Sequence, residues 1–105
     1  MAVIGVFTPS RDGGWIGRIR TMLVNSKVRF VPNDNRNNEQ SPDYRVYVGA
    51  SEIGAAWRGQ PTSDRTGKYL HVRLDDPSLP EALNAAMIET DDGTSARLVW
   101  CRRLR

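Results

Sequence analysis

Short runs of strand-forming residues, each ended by a turn signal, recur along the whole chain and constrain its fold more than any other feature. The first run covers residues 2–8 and is followed by Gly13 and Gly14, which tolerate positive φ and allow the chain to return. No internal repeat interrupts the series. The sequence therefore predicts an all-β fold, a single small antiparallel barrel or strongly bent sheet of about seven strands. Later runs cover residues 44–49, 52–58 and 68–74.

Within residues 15–31, the apolar residues switch from odd-numbered to even-numbered positions. Ile19 is odd-numbered, whereas Phe30 is even-numbered. In one unbroken strand the core and solvent faces would exchange, because side chains alternate with period two. A turn or bulge at Asn25-Ser26 removes the conflict. As a hairpin loop, it places the basic residues of both strands on one face and the apolar residues on the other.

Two other segments depart from the strand pattern. Residues 32–43 are polar and bounded by prolines, which predicts an exposed loop within a single domain spanning residues 1–105. In residues 78–89, Pro80 and several alanines favour a short helix. The turn signal after this segment instead requires a strand that ends near residue 90. The interpretation adopted is a strand over residues 83–89, with room for one short helical turn near Pro80.

Length and residue usage exclude several classes of protein. The chain has 105 residues, a net charge of +3, one cysteine and one histidine. A disulfide framework and a cysteine-based zinc site are therefore excluded. No apolar stretch is long enough to span a bilayer, and none is typical of a signal peptide. We expect a cytoplasmic protein without membrane contact, cofactor or metal, in which Cys101 is a small buried hydrophobe.

Basic side chains concentrate on the predicted strands. These strands carry ten of the 15 Lys and Arg residues but only two of the 12 Asp and Glu residues. By alternation, Arg and Tyr side chains fall on the strand face opposite the apolar one. We call this predicted surface the Arg/Tyr face, and it consists of Arg18, Arg20, Arg29, Arg45, Tyr47, Tyr69, His71 and Arg73.

The Arg/Tyr face has the chemistry of a nucleic-acid contact. Guanidinium groups pair with phosphates and stack on bases, and tyrosine rings add stacking platforms, which suits single-stranded nucleic acid bound with weak sequence preference. Thirteen arginines against two lysines favour recognition over solubility alone. Two alternatives remain, an acidic protein surface as partner and a merely solvated sheet face, since Arg and Tyr occur in exposed strands anyway.

The three tryptophans are predicted to lie in the core. Each is in phase with apolar residues of its own segment: Trp15 with Ile19 and Leu23, Trp57 with Ile53 and Ala55, and Trp100 with Leu98. Gly54, which lies inside a predicted strand, indicates a bulge or a close approach of two backbones.

No arrangement of residues indicates catalysis. Two pairs of carboxylates, Asp75-Asp76 and Asp91-Asp92, adjoin proline or glycine turns, where Asp usually caps the backbone. His71 has no second histidine to share a metal or a proton with. We therefore expect a non-enzymatic protein.

Motifs that resemble a known family are distributed over nearly the whole chain: IGVF at 4–7, GRIRT at 17–21, VPN at 31–33, PDYRV at 42–46, EIGAAW at 52–57, YL at 69–70, LDDP at 74–77 and LVW at 98–100. As a set they resemble the domain-of-unknown-function 736 family of small bacterial proteins. The resemblance implies an accessory protein of plasmids and mobile elements, often encoded beside conjugative-transfer genes, and implies no activity. It also favours a strand over residues 83–89. In the alternative function, the protein docks on a transfer, host or defence protein.

Overall fold

The computed structural model describes residues 2–22, 24–34, 40–59, 69–77, 79–90 and 92–100, and within them the chain forms one closed antiparallel barrel. Each strand pairs with the next in sequence, and the last pairs with the first. The predicted all-β barrel is confirmed, with eight strands where about seven were expected. The strands are β1 (Ala2–Pro9), β2 (Trp15–Arg20), β3 (Asn25–Pro32), β4 (Tyr44–Val48), β5 (Ser51–Arg58), β6 (Tyr69–Leu74), β7 (Leu83–Glu89) and β8 (Ala96–Trp100).

Alternate residues of the strands fill the barrel interior with apolar side chains. Phe7 and Phe30 are fully buried, and their rings meet edge to face, with centroids 5.1 Å apart and planes at 82°. Trp15 is buried beside them, as predicted, and Trp100 packs partly buried against the same core. Among the described residues no polar or charged side chain is buried. Charge chemistry in this part of the chain is therefore confined to the exterior.

The β2–β3 hairpin turns earlier than predicted. Arg20 pairs with Asn25, so Asn25 and Ser26 begin β3 instead of forming the loop, and that prediction is wrong. The turn is closed by Thr21, whose N–H donates to the Val24 carbonyl at 2.8 Å and whose hydroxyl accepts from the Val24 N–H at 3.0 Å.

The physical reason for this register is core packing. It sets Trp15 opposite Phe30, which buries two large rings side by side. Both the predicted and the observed registers pair odd positions with even ones. The predicted assignment of basic residues to one face and apolar residues to the other is therefore correct.

A bulge changes the phase of β5. The register between β4 and β5 shifts so that Ile53 is an extra residue; it packs partly buried against the core. After the bulge the inward positions are Gly54 and Ala56, and Ala56 is fully buried. The indication of a bulge or close approach at Gly54 is confirmed. Because the phase has changed, Trp57 faces outward, and its predicted place in the core is wrong.

The segment over residues 83–89 is strand β7, as predicted. It has neighbours on both edges, and Ala85 and Met87 point into the core. This pairing outweighs the helix propensity of its alanines, because ladder hydrogen bonds and burial exceed small local preferences. Residues 79–81 form bends, so the helical turn near Pro80 is not found. None of the described residues forms a helix, and none therefore supplies a helical membrane span.

Hydrogen bonds join the two ends of the connection between β3 and β4. The Asn33 N–H donates to the Asp43 carbonyl at 2.9 Å, and the Asn33 side chain donates to the Pro42 carbonyl at 2.9 Å. Pro32, where the predicted loop begins, is still part of β3. Residues 35–39 of that loop and Cys101, with its predicted burial, lie outside the described residues.

Asp92 closes the β7–β8 hairpin and makes its stability sensitive to acid. Its carboxylate accepts from the Thr90 hydroxyl at 2.7 Å, and from the N–H and hydroxyl of Thr94 at 3.1 and 2.8 Å. These bonds, that from Thr90 first, lower the pKa of Asp92 from 3.8 to about 2. A lowered folded-state pKa stabilises the fold above pH 3.8, and this contribution is lost as the pH falls towards 2.

We expect Asp92→Asn to reduce the steepness with which unfolding free energy falls between pH 4 and pH 2. The measurement is urea unfolding of both proteins at several pH values. Some acid dependence should remain, because hydrogen bonds from the Ser10 hydroxyl and the Gly14 N–H also lower the pKa of Asp12. Identical pH profiles for the two proteins would refute the role given to Asp92.

Candidate functional site

All eight residues of the predicted Arg/Tyr face lie on the outside of the barrel. On β6, for example, Leu70, Val72 and Leu74 are buried, and Tyr69 and His71 alternate with them on the outer side. The face is not flat, however. It extends over β2 to β6, five of the eight strands, and so follows the curved wall around the barrel. Its residues consequently form two neighbouring groups, one on β2–β4 and one on β4–β6.

The first group contains a basic stripe on the β2–β3 hairpin, which we define as Arg18, Arg20, Lys27 and Arg29. All four side chains are exposed, and neither strand contains an acidic residue. Arg18 pairs directly with Lys27 across the two strands. Like charges in that arrangement repel one another, so the hairpin carries a concentrated positive potential. Lys27 was not among the predicted site residues, although its parity is that of Arg29.

Contacts within the first group orient two of its guanidinium groups. Arg29 lies over the ring of Tyr47, 5.4 Å from its centroid, and donates to the Gly49 carbonyl at 2.9 Å. Arg18 donates to the side-chain oxygen of Asn25 at 2.9 Å. The cation and the aromatic ring on β3 and β4 are therefore held side by side.

The second group surrounds Trp57, which was predicted to lie in the core. Its indole N–H donates to the Gln40 carbonyl at 2.9 Å, and its ring centroid lies 6.3 Å from that of His71, with the planes at 48°. The ring is thus anchored on the barrel exterior. The only signal for this placement was the bulge indicated by Gly54.

A shallow groove of about 330 Å³ runs beside Trp57 across β5 and β6. We call it the Trp57 groove. Gly54 and Ala55 are among the residues that line it, and neither carries a side chain larger than a methyl group. One aromatic, one basic and two acidic residues are among those that line it; the lining residues are Glu52, Ile53, Gly54, Ala55, Trp57, Arg73 and Asp75.

Two other predicted residues are less open than the sequence implied. Arg45 approaches Glu52, with 3.9 Å between Nη1 and Oε1, at the limit of an ion pair. Tyr69 is half-buried, and its ring lies against the backbone of Gly59, where an added Cβ would come within 2.1 Å of it. Tyr69 therefore lacks the open double-sided ring that stacking between two bases would require.

The opposite side of the barrel is mostly apolar, with Thr8, Asn84 and Arg97 as its exposed polar residues. The outward positions of β7, β8 and β1 include Val3 and Val6, which are 54% and 55% exposed, and the exposed Ile88. Arg97 is the one charged side chain among the outward positions described on these three strands. Cationic and apolar side chains are thus separated onto two sides of one barrel.

Comparison with known proteins gives a family and no activity. A family model described as "Protein of unknown function (DUF736)" matches residues 3–103. No curated protein and no solved structure matches the chain. Within the part of the chain that the structure describes, no three His, Cys, Asp or Glu side chains are grouped so that they could hold a metal ion.

Proposed function

The chain belongs to the DUF736 family, and we propose that it is a non-enzymatic protein that binds single-stranded nucleic acid through the basic stripe and its neighbouring aromatic rings. The observation that carries this proposal is the Arg18–Lys27 cross-strand pair, set between Arg20 and Arg29 on strands without acidic residues. Phosphates bound between these cations would relieve their repulsion and release condensed counterions.

The aromatic residues beside the stripe favour a single strand over a duplex. A duplex keeps its bases stacked inside, whereas a single strand exposes them to protein rings. Tyr47 lies directly beside Arg29, so one nucleotide can place its phosphate on the guanidinium and its base near the ring. The convex barrel wall also offers a track for a single strand along its surface.

A role as an accessory protein of a mobile element, inside the cytoplasm, is the biological setting that we propose. It is supported by the family resemblance of the sequence motifs. The separation of charges is consistent with such a binding protein, because a cationic side attracts a polyanion from a distance without requiring a specific sequence. Among the described residues, most acidic side chains lie in the connections between strands, and the pKa of one of them, Asp12, is lowered by the hydrogen bond from Ser10 and also by the nearby cation of Arg29.

The test is titration of a fluorescent single-stranded oligonucleotide at several salt concentrations. The wild type should bind, and its affinity should fall steeply with salt. The double substitution Arg20→Gln with Lys27→Gln should weaken binding at least about tenfold and reduce the salt slope by about 0.7 for each phosphate that is no longer neutralised. Both side chains are exposed, so this variant should fold normally.

The matched control is Arg97→Gln, which removes an exposed positive charge from the apolar side of the barrel. It should leave the affinity almost unchanged. An equal reduction of affinity in the control would mean that net charge, and not the stripe, determines binding. Absence of binding to single-stranded and duplex nucleic acid at low salt would refute the proposal and leave an acidic protein surface as the partner for the same arginines.

A further inference from the structure

The Trp57 groove adds an aromatic ring and carboxylates to a cation, whereas the basic stripe consists of cations alone. It has an anchored indole ring, a guanidinium from Arg73 and carboxylates from Glu52 and Asp75 within one volume of about 330 Å³. The groove is shallow and largely open, so a ligand bound there is covered mainly on one side. The groove is therefore suited to one small planar group with a charged attachment.

Carboxylates in the groove determine which groups can enter. They repel phosphate, so the ligand must present N–H donors to them and keep its own anionic part towards Arg73. Glu52 lies within ion-pair distance of Arg45, 3.9 Å between the closest atoms. Asp75 is exposed, and its backbone N–H donates to the Ile53 carbonyl at 2.7 Å, which fixes its position beside the groove. Asp75 is thus the carboxylate available to a ligand.

We propose that the Trp57 groove is a base-reading subsite that takes one unstacked guanine, with its ring on Trp57, its N–H edge on Asp75 and its phosphate towards Arg73. Among the common bases, guanine carries two adjacent N–H donors on its pairing edge, which match the two oxygens of one carboxylate. Thymine and uracil have a single such donor flanked by carbonyl oxygens, which a carboxylate repels. This proposal deepens the proposed function and rests on it, adding a base preference to a contact otherwise governed by phosphate.

The test follows the indole N–H signal of Trp57 by NMR while dGMP, dIMP, dAMP or dTMP is added. Mononucleotides examine the groove separately from the stripe, so the result does not depend on oligonucleotide binding. We expect dGMP to shift the signal and to bind about tenfold more tightly than dTMP. dIMP, which lacks the 2-amino group, should fall between them.

Substitutions test the contribution of Asp75 separately from that of Trp57. Asp75→Asn should abolish the preference for dGMP over dTMP, whereas Asp34→Asn, which removes an exposed carboxylate elsewhere, should keep it. Trp57→Phe should keep part of the affinity because it retains an aromatic face, whereas Trp57→Ala should remove the affinity for all four mononucleotides. Because both variants lack the indole signal, their binding is followed by the backbone signals of β6. Equal affinities for dGMP and dTMP, or no shift with any nucleotide, would overturn the inference. Salt-dependent oligonucleotide binding by the same protein would show that the proposed function survives.

Discussion

Replacing Phe30 by alanine is expected to lower the free energy of unfolding by about 3–5 kcal/mol. Phe30 is fully buried in the centre of the barrel and packs edge to face on Phe7. Removing the ring loses the free energy of burying it and leaves a cavity. The cavity stays open because each strand is paired on both sides and cannot move inward to fill it. This decrease is a large fraction of the stability of a domain of this size.

Urea unfolding followed by circular dichroism provides the measurement. Phe30→Leu should cost clearly less, since it retains most of the apolar volume and removes chiefly the edge-to-face interaction of the rings, which is worth about 0.5–1.5 kcal/mol. Val6→Ala on the exposed exterior should change the free energy of unfolding by about 0.5 kcal/mol or less. A comparable effect of Val6→Ala and Phe30→Ala would show that the interior is not the main source of stability.

Gly17→Ala is expected to destabilise the barrel by about 3 kcal/mol, although it adds a single methyl group. A Cβ at Gly17 would lie 2.2 Å from the Val6 carbonyl oxygen and 2.8 Å from the Phe7 ring. The carbonyl belongs to the backbone of a paired strand, and the ring is enclosed in the core. Neither can move away without disrupting strand pairing or packing.

The comparison for this substitution is Gly49→Ala. Gly49 has a φ of 60°, and a Cβ there would meet nothing within 4 Å, so only backbone strain of about 1 kcal/mol is expected. Chemical unfolding of both variants measures the difference. If Gly49→Ala were the more damaging change, backbone conformation would matter more than the close approach of β1 and β2.

Alternation with period two predicts the direction of a side chain only where a strand is uninterrupted. On β6 it correctly places Leu70 and Val72 inside and His71 outside, because six residues run without a break. On β5 the same rule fails for Trp57, since the extra residue Ile53 moves every later side chain to the opposite face. Gly54 indicated a bulge, yet the sequence does not say how many residues the bulge contains.

In the candidate site, too, one part could be predicted by alternation and another could not. Which face each Arg and Tyr occupies follows from parity, and parity survived even the wrong turn at Asn25-Ser26. Which of these residues become neighbours depends on register and on how the sheet closes, and both are decided by core packing between distant residues such as Trp15 and Phe30. The Trp57 groove depends on the bulge in β5 and on the pairing of β5 with β6, so alternation alone could not predict it.

The pairing of β1 with β8 has a consequence for how the barrel forms. Every other strand pair joins neighbours in sequence, whereas Ala2 pairs with Trp100 from nearly the far end of the chain. Contacts between residues so distant in sequence are slow to form, because most of the chain must be ordered first. Until they form, the sheet has two open edges, and the apolar side chains of Val3, Val6 and Val99 lie beside them. During refolding, two unclosed chains can join at these edges, so closure within one chain competes with association between chains as concentration rises.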